Sequence, residues 1–271
     1  MHEVAPNRLQ ELFRRRRPVL GLYVMAGLPE PEAALPLWHA LVEAGADFLE
    51  IGAPFSDPLA DGPTIQRASQ RALAYGIDLS WILECVHAFR RRDPHTPLVL
   101  MGYLNPILAY GVEAFAHAAR ASGLDGLIIP DLPLEERPWV GEAFDRAGLN
   151  LVLLAAPTSS ADRLRQIDGL SRGFVYAVSI TGVTGARTGV AEQARAFLER
   201  ARQLVRRNPL LVGFGIATPE DAGAMLEYAD GIIVGSALVE RLERAYPSPD
   251  WLEQLIAWVR ALKAGMSVHA A

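Results

Sequence analysis

The sequence has few cysteines, no long apolar runs and little excess charge, and each of these shortages excludes a class of protein. Its one cysteine, Cys85, has no partner in the chain with which to form a disulfide. No stretch approaches the roughly 18 consecutive apolar residues of a membrane helix, and the N-terminus lacks the apolar core of a signal peptide. We therefore expect a cytoplasmic protein that does not span or bind a membrane.

A formal net charge of −5 provides no electrostatic footprint for nucleic acid. The basic run at residues 14–17 is more simply explained as the solvated end of a helix, where cations face the negative end of the helix dipole. The 6 histidines are scattered without the spacing of a metal site. We predict neither a nucleic-acid partner nor a metal.

Short apolar segments typical of strands alternate with helix-like segments eight times along the 271 residues. This alternation indicates a parallel sheet, and eight units in this length favour a closed (β/α)₈ TIM barrel over an open doubly wound sheet. A Rossmann-like sheet is the alternative, but Gly213-Phe214-Gly215 lacks the third glycine of the dinucleotide fingerprint. The predicted strands cover residues 18–25, 48–51, 98–101, 126–129, 151–154, 174–178, 210–212 and 231–234.

We expect an α/β fold with a single TIM-barrel domain over residues 1–271 and a core at about 8–264. Extra short helices are predicted at the N-terminus and after the second and eighth strands.

The most unusual chemistry lies in residues 48–64. Glu50 interrupts a buried strand, where an ionised carboxylate is costly unless it is paired or its pKa is raised. A loop stiffened by three prolines follows and carries Asp57 and Asp61. An aspartate before proline or glycine is an ordinary turn residue on its own, but the combination with Glu50 indicates a general acid/base pair in a cleft. We expect Asp61, in a polar loop, to stay ionised.

The active site of such a barrel lies at the C-terminal ends of its strands, where other polar residues of this chain also fall. Each of them has an ordinary structural interpretation as well. They are Tyr103, Asn105, Asp131, Thr158 and Tyr176.

Three loops that carry glycine follow the last three strands. Residues 179–189 are long enough for a mobile lid over the site. Gly213 and Gly215 follow the seventh strand, and Gly235 and Ser236 follow the eighth strand where a helix opens. The last two loops form the usual phosphate site of this fold, because glycines and a helix N-terminus present backbone N–H groups to an anion.

The segment Leu49-Glu50-Ile51-Gly52, followed by residues 54–66, closely resembles the signature of the tryptophan synthase alpha chain family. The resemblance extends over about residues 8–263 and includes Tyr103-Leu104-Asn105-Pro106, Pro130-Asp131-Leu132-Pro133 and Val234-Gly235-Ser236-Ala237 in the family's order. Leu28 and Gly189 depart from its pattern.

The resemblance implies a lyase of tryptophan biosynthesis that cleaves indole-3-glycerol phosphate to indole and glyceraldehyde 3-phosphate. Glu50 would then shuttle the proton and Asp61 would stabilise the protonated indole. The resemblance further implies that Tyr23, Leu100 and Tyr176 line the indole pocket and that Thr184 orients Asp61. The phosphate contacts would be Gly185, Gly213, Gly215, Gly235 and Ser236.

The resemblance also implies a partner, a tryptophan synthase beta chain in an α₂β₂ heterotetramer. Pyridoxal phosphate would belong to that beta chain alone, so we expect no cofactor in this one. The expected interface residues are Pro54, Asp57, Pro58, Asn105 and Pro133. Two alternatives stay open, namely a stand-alone lyase that releases free indole and a weakly active regulatory subunit that senses the ligand.

Overall fold

The computed structural model describes residues 7–15, 18–178, 188–213 and 215–268. Its parallel strands form a closed barrel in chain order, with β8 hydrogen-bonded to β1. The predicted TIM barrel is therefore confirmed, and the open-sheet alternative is wrong. The strands are β1 (Val19–Met25), β2 (Phe48–Gly52), β3 (Leu98–Met101), β4 (Gly126–Ile128), β5 (Asn150–Ala155), β6 (Val175–Ala177), β7 (Leu210–Val212) and β8 (Gly231–Val234).

Helices surround the barrel, and the extra helices predicted at the N-terminus and after β2 and β8 are confirmed. A further pair after β3 was not predicted, and Gly111 separates its two members at a φ of 92° that favours glycine. The helices are α1 (Arg8–Phe13), α2 (Pro31–Ala44), α3 (Pro63–Ala74), α4 (Leu79–Arg90), α5 (Leu104–Tyr110), α6 (Val112–Ser122), α7 (Arg137–Ala147), α8 (Ala161–Leu170), α9 (Thr188–Leu204), α10 (Pro219–Met225), α11 (Ser236–Ala245) and α12 (Trp251–Val268).

Side chains along each strand alternate between the barrel interior and the helix layer. On β2, Phe48 belongs to the interior cluster, whereas Leu49 and Ile51 pack in the outer cluster against the helices. The same alternation turns Glu50 inward, above Phe48. Gly21 of β1 has no side chain because the Phe48 ring lies 2.3 Å from where its Cβ would be.

The end of the barrel at the N-termini of its strands is closed by α1. Leu9 of this helix is fully buried in the interior cluster, and the Phe13 ring lies 5.9 Å from that of Phe174. Asn7 caps α1, and its Nδ2 donates a 2.7 Å hydrogen bond to the carbonyl of Asp125. Because α1 closes this end of the barrel, a ligand site can form at the opposite end, where the strands have their C-termini.

Within the described ranges, no single helix is long and apolar enough to cross a membrane. Helices α3 and α4 reach the required length and hydropathy only as a pair bent by 93°.

Candidate active site

Glu50 is fully buried in the barrel interior on β2, and neither of its carboxyl oxygens has a hydrogen-bond partner among the described residues. Burial, and secondarily the negative charge of Asp61, raises the pKa of Glu50 to about 8. An isolated carboxylate in an apolar wall is costly, so the protonated form is favoured near neutral pH. The raised pKa agrees with the expectation from the sequence, and a role of Glu50 in proton transfer stays a prediction.

Asp61 lies in the loop between β2 and α3, and it lines a cavity at the barrel mouth that Glu50 also lines. The hydroxyl of Tyr103 donates a 3.0 Å hydrogen bond to Asp61 Oδ2, and the Gln66 side chain donates one of 2.9 Å to the Asp61 carbonyl. Burial raises the pKa of Asp61, and the hydrogen bond from Tyr103 opposes that rise. The setting is thus less polar than we expected, because the loop folds back over the barrel mouth.

The loop that carries Asp61 is held at both ends. Near its start, the Phe55 N–H donates to Ser69 Oγ at 2.8 Å, and the same hydroxyl donates to the Phe55 carbonyl at 2.9 Å. Near its end, the Ala60 N–H donates to the Tyr103 hydroxyl at 3.0 Å. The Phe55 ring also stacks on Tyr103, with ring centroids 5.1 Å apart. These contacts position Asp61 relative to the strand that carries Glu50.

Glu50 and Asp61 face one cavity of about 750 Å³, which suits a small organic ligand. Its wall is mostly apolar, and its polar groups gather at Glu50 and Asp61 and at the start of α11. The apolar lining residues include Ile65, Met101, Leu154, Val178, Ile216 and Ile233.

Tyr23 lies beside Glu50 on the neighbouring strand β1, Tyr176 lies on β6, and both are nearly buried and line the cavity. Each ring occupies space that a glycine on the next strand leaves open. A Cβ on Gly52 would lie 2.1 Å from the Tyr23 hydroxyl, and a Cβ on Gly213 would lie 2.2 Å from the Tyr176 hydroxyl. Burial raises the pKa of both tyrosines, so both stay neutral and serve as walls of the cavity.

The structure contradicts the expectation that Leu100 lines the indole pocket. Leu100 is fully buried in the outer cluster, between β3 and the helices. Its neighbour Met101 packs against the interior cluster and lines the cavity instead. The reason is the two-residue period of a strand, which sends adjacent side chains to opposite faces.

The glycines predicted for a phosphate line the same cavity. Gly213, Gly215, Gly235 and Ser236 all line it, and Gly215 adopts a φ of 65° that favours glycine. Ser236 begins α11, and no described side chain caps this helix start. The first amides of a helix have no acceptor within it, so this end presents donors and positive potential to the cavity. Thr184 and Gly185, with residues 179–187 of the proposed lid, lie outside the described residues, whereas its last two residues, Thr188 and Gly189, begin α9.

The residues expected at the partner interface differ in their exposure to solvent. Asp57, Asn105 and Pro133 are exposed, and Pro58 is half-buried. They follow β2, β3 and β4, so they share the rim of the barrel mouth. Pro54 is buried where the loop leaves β2, so its inclusion as a surface contact is wrong.

Sequence reasoning missed two residues near this rim. Leu59, at the tip of the loop between β2 and α3, is 92% exposed. Tyr103 was noted only as a polar residue at a strand end, yet it holds Asp61. No sequence signal links positions 61 and 103, because the hydrogen bond between them depends on how the loop folds back.

No group of three or more His, Cys, Asp or Glu side chains that could hold a metal ion occurs in the described part of the chain.

Comparison with known proteins agrees with this geometry. The family model of the tryptophan synthase alpha chain matches residues 9–268. The tryptophan synthase alpha chain of Laribacter hongkongensis is 49% identical over 259 residues, which cover 94% of this chain and 96% of that protein. That of Xanthomonas oryzae pv. oryzae is 50% identical over 240 residues, covering 88% of this chain and 89% of that protein.

A solved structure gives the same result. The crystal structure of tryptophan synthase subunit alpha from Legionella pneumophila superposes with a TM-score of 0.88 at 40% sequence identity, covering 97% of this chain and 100% of that one. The family model matches nearly the whole chain, and relatives share about half of its residues over most of their length. This chain therefore belongs to the tryptophan synthase alpha chain family.

Proposed function

We propose that this chain is a carbon–carbon lyase of tryptophan biosynthesis, which cleaves indole-3-glycerol phosphate to indole and glyceraldehyde 3-phosphate as the alpha subunit of tryptophan synthase. Membership of the family supports this activity. The observation that carries it is the buried Glu50, whose carboxyl oxygens have no hydrogen-bond partner among the described residues and which shares one cavity with Asp61 and with the glycines that follow β7 and β8.

The reaction begins with a proton transfer to the indole ring. Breaking the bond between ring carbon C3 and side-chain carbon C3′ directly would leave a poor carbanion, so C3 must be protonated first. Glu50, with its pKa raised to about 8, is largely protonated at neutral pH and supplies this proton. The ring nitrogen then carries the positive charge.

Asp61 stabilises that charge. A carboxylate about 4 Å from a cation at an effective dielectric constant near 20 contributes about 4 kcal/mol, or roughly three decades of rate. The hydrogen bond from Tyr103 favours the ionised form of Asp61 and fixes its direction, offsetting part of the effect of burial. Asp61 therefore acts as a placed negative charge rather than as a second acid.

Bond cleavage returns Glu50 to its starting state. The Glu50 carboxylate takes the proton of the C3′ hydroxyl while the C3–C3′ bond breaks. That electron pair returns to the ring and neutralises the nitrogen, and the hydroxyl oxygen becomes the carbonyl of glyceraldehyde 3-phosphate. The atoms balance, and Glu50 is protonated again for the next cycle. Tyr23 and Tyr176 hold the ring, and Gly213, Gly215, Gly235 and Ser236 hold the phosphate.

A partner beta chain would consume the indole. We propose that it docks at the rim formed by Asp57, Pro58, Asn105 and Pro133, in an α₂β₂ heterotetramer whose pyridoxal phosphate belongs to the beta chain. Membership of the family favours this arrangement over a stand-alone lyase.

The test is turnover of indole-3-glycerol phosphate with and without a beta chain, by the wild type, Asp61→Asn and Asp57→Ala. We expect turnover by the wild type, faster with the partner, a loss of about three decades in Asp61→Asn, and weaker coupling in Asp57→Ala. Equal turnover with and without a beta chain that does not bind would favour the stand-alone lyase. Ligand binding without turnover would favour the regulatory subunit.

A further inference from the structure

The charge of the cavity is unexpected for a site that takes a phosphate. Three acidic side chains line it, those of Glu50, Asp61 and Glu240, and no lysine or arginine does so among the described residues. The two catalytic carboxylates lie at the indole end. Glu240 belongs to α11, the helix whose first residues line the phosphate end.

Glu240 is four residues after Ser236, so the two lie on the same face of α11 about one turn apart. Helical side chains lean toward the N-terminus, which brings the Glu240 carboxylate back over the helix start. Its direction is fixed by Thr64 near the start of α3, whose hydroxyl donates a 2.9 Å hydrogen bond to Glu240 Oε1. The carboxylate is therefore held between the N-terminal ends of two helices.

The charge of Glu240 is only weakly neutralised by its neighbours. Arg244, one turn further along α11, approaches Glu240 Oε2 at 3.8 Å, but its side chain is 81% exposed. The other basic side chains near this face, Arg67 and Arg71, pair with Glu243 at 3.5 and 3.8 Å. A phosphate at the start of α11 would therefore meet the field of Glu240.

We propose that Glu240 sets the strength of phosphate binding. Its carboxylate and the ligand's phosphate would both lie in the positive field at the start of α11, and the repulsion between them weakens binding of phosphate-bearing ligands. This inference rests on the phosphate site of the proposed function. The helix dipole attracts the phosphate, and a like charge one turn away opposes it. The cavity then holds the phosphate through backbone amides, and glyceraldehyde 3-phosphate leaves more readily than it would from a site lined with cations.

Glu240→Gln tests the inference, because glutamine keeps an acceptor for Thr64 and removes only the charge. By titration calorimetry on the full chain, we expect glycerol 3-phosphate and inorganic phosphate to bind about three- to tenfold more tightly than to the wild type. The affinity for indole, which carries no charge, should not change. The gain should shrink at high salt, and KM for indole-3-glycerol phosphate should fall by more than kcat changes.

Two variants provide matched controls. Glu243→Gln removes the same charge from the same helix but outside the cavity lining, so the affinity for glycerol 3-phosphate should change by less than about twofold. Thr64→Val breaks the hydrogen bond and keeps the charge, so it should tighten binding less than Glu240→Gln does. An equal effect of Glu240→Gln and Glu243→Gln, or tightening by Thr64→Val as large as that by Glu240→Gln, would overturn the inference.

The same titrations separate this inference from the proposed function. If the wild type binds glycerol 3-phosphate and Glu240→Gln binds it no better, only the role of Glu240 fails. If no variant binds it, the phosphate site and this inference fail together.

Discussion

The Tyr103 hydroxyl joins two parts of the molecule, since it donates a 3.0 Å hydrogen bond to Asp61 Oδ2 and accepts one of 3.0 Å from the Ala60 N–H. Tyr103 is the N-cap residue of α5, and the next amide along, that of Leu104, donates to Asp131 Oδ1 at 2.9 Å. The orientation of the Asp61 carboxylate therefore depends on an element of the rim that carries the predicted partner contacts.

Tyr103→Phe should keep the ring stacked on Phe55 while losing both hydrogen bonds. Asp61 would then be less well oriented, and we expect kcat on indole-3-glycerol phosphate to fall by about ten- to a hundredfold. The free energy of unfolding should fall by about 1 kcal/mol for the lost hydrogen bonds. Steady-state kinetics and urea unfolding measure the two effects. A variant with wild-type kcat would show that the hydrogen bond does not position Asp61 during turnover.

Glu50→Gln keeps the shape of the side chain but cannot shuttle a proton. We expect kcat to fall by about 10² to 10⁴, while binding of the phosphate ligand survives. If Glu50 and Asp61 act as a unit, the double variant with Asp61→Asn should be little worse than the more damaging single one. The measurement is single-turnover cleavage, with circular dichroism as the folding check. Near-normal turnover by a folded Glu50→Gln protein would remove Glu50 from the mechanism.

The raised pKa of Glu50 links stability to pH. The group titrates near 4.5 when exposed and at about 8 in the folded chain, so the folded state binds more protons between these values. Its contribution to stability is therefore fully present below about pH 4.5 and is lost as the pH rises toward about 8, by about 3 to 5 kcal/mol at most.

Denaturant unfolding at several pH values, for the wild type and Glu50→Gln, measures this loss. Between about pH 4.5 and 8, the free energy of unfolding of the wild type should fall relative to that of the variant, because glutamine does not titrate. Above about pH 8 the difference between the two free energies should become constant. A difference independent of pH would show that Glu50 titrates normally in the folded chain.

Gly235→Asp should severely weaken binding of the phosphate group without unfolding the protein. A Cβ at this position would approach Tyr23 no closer than 3.4 Å, an ordinary contact, and the backbone φ of −115° suits any residue. The added carboxylate at the start of α11 would repel the phosphate, so we expect KM to rise by about a hundredfold or more. Gly235→Ala is the matched control without charge, and its KM should rise far less. Equal KM values for the two variants would argue against an anion at this helix start.

Much of this protein follows from local pattern in its sequence. Eight strand-like segments alternating with helices determined the barrel, because parallel strands need a crossover between them. Glu50 was recognisable as a candidate acid/base group, since a carboxylate in a buried strand must raise its pKa or find a partner. Gly235 and Ser236 were recognisable because the fold places that loop at the mouth.

Tertiary structure decided what local pattern leaves open. Every residue of β3 is apolar, so its sequence does not show which side chains face inward, and barrel closure turned Met101 toward the cavity and Leu100 toward the helices. The contacts of Tyr103 with Asp61 and of Thr64 with Glu240 join residues 42 and 176 positions apart. Such pairs depend on the packing of separate elements, and a pattern that repeats every two or four residues carries no information about them.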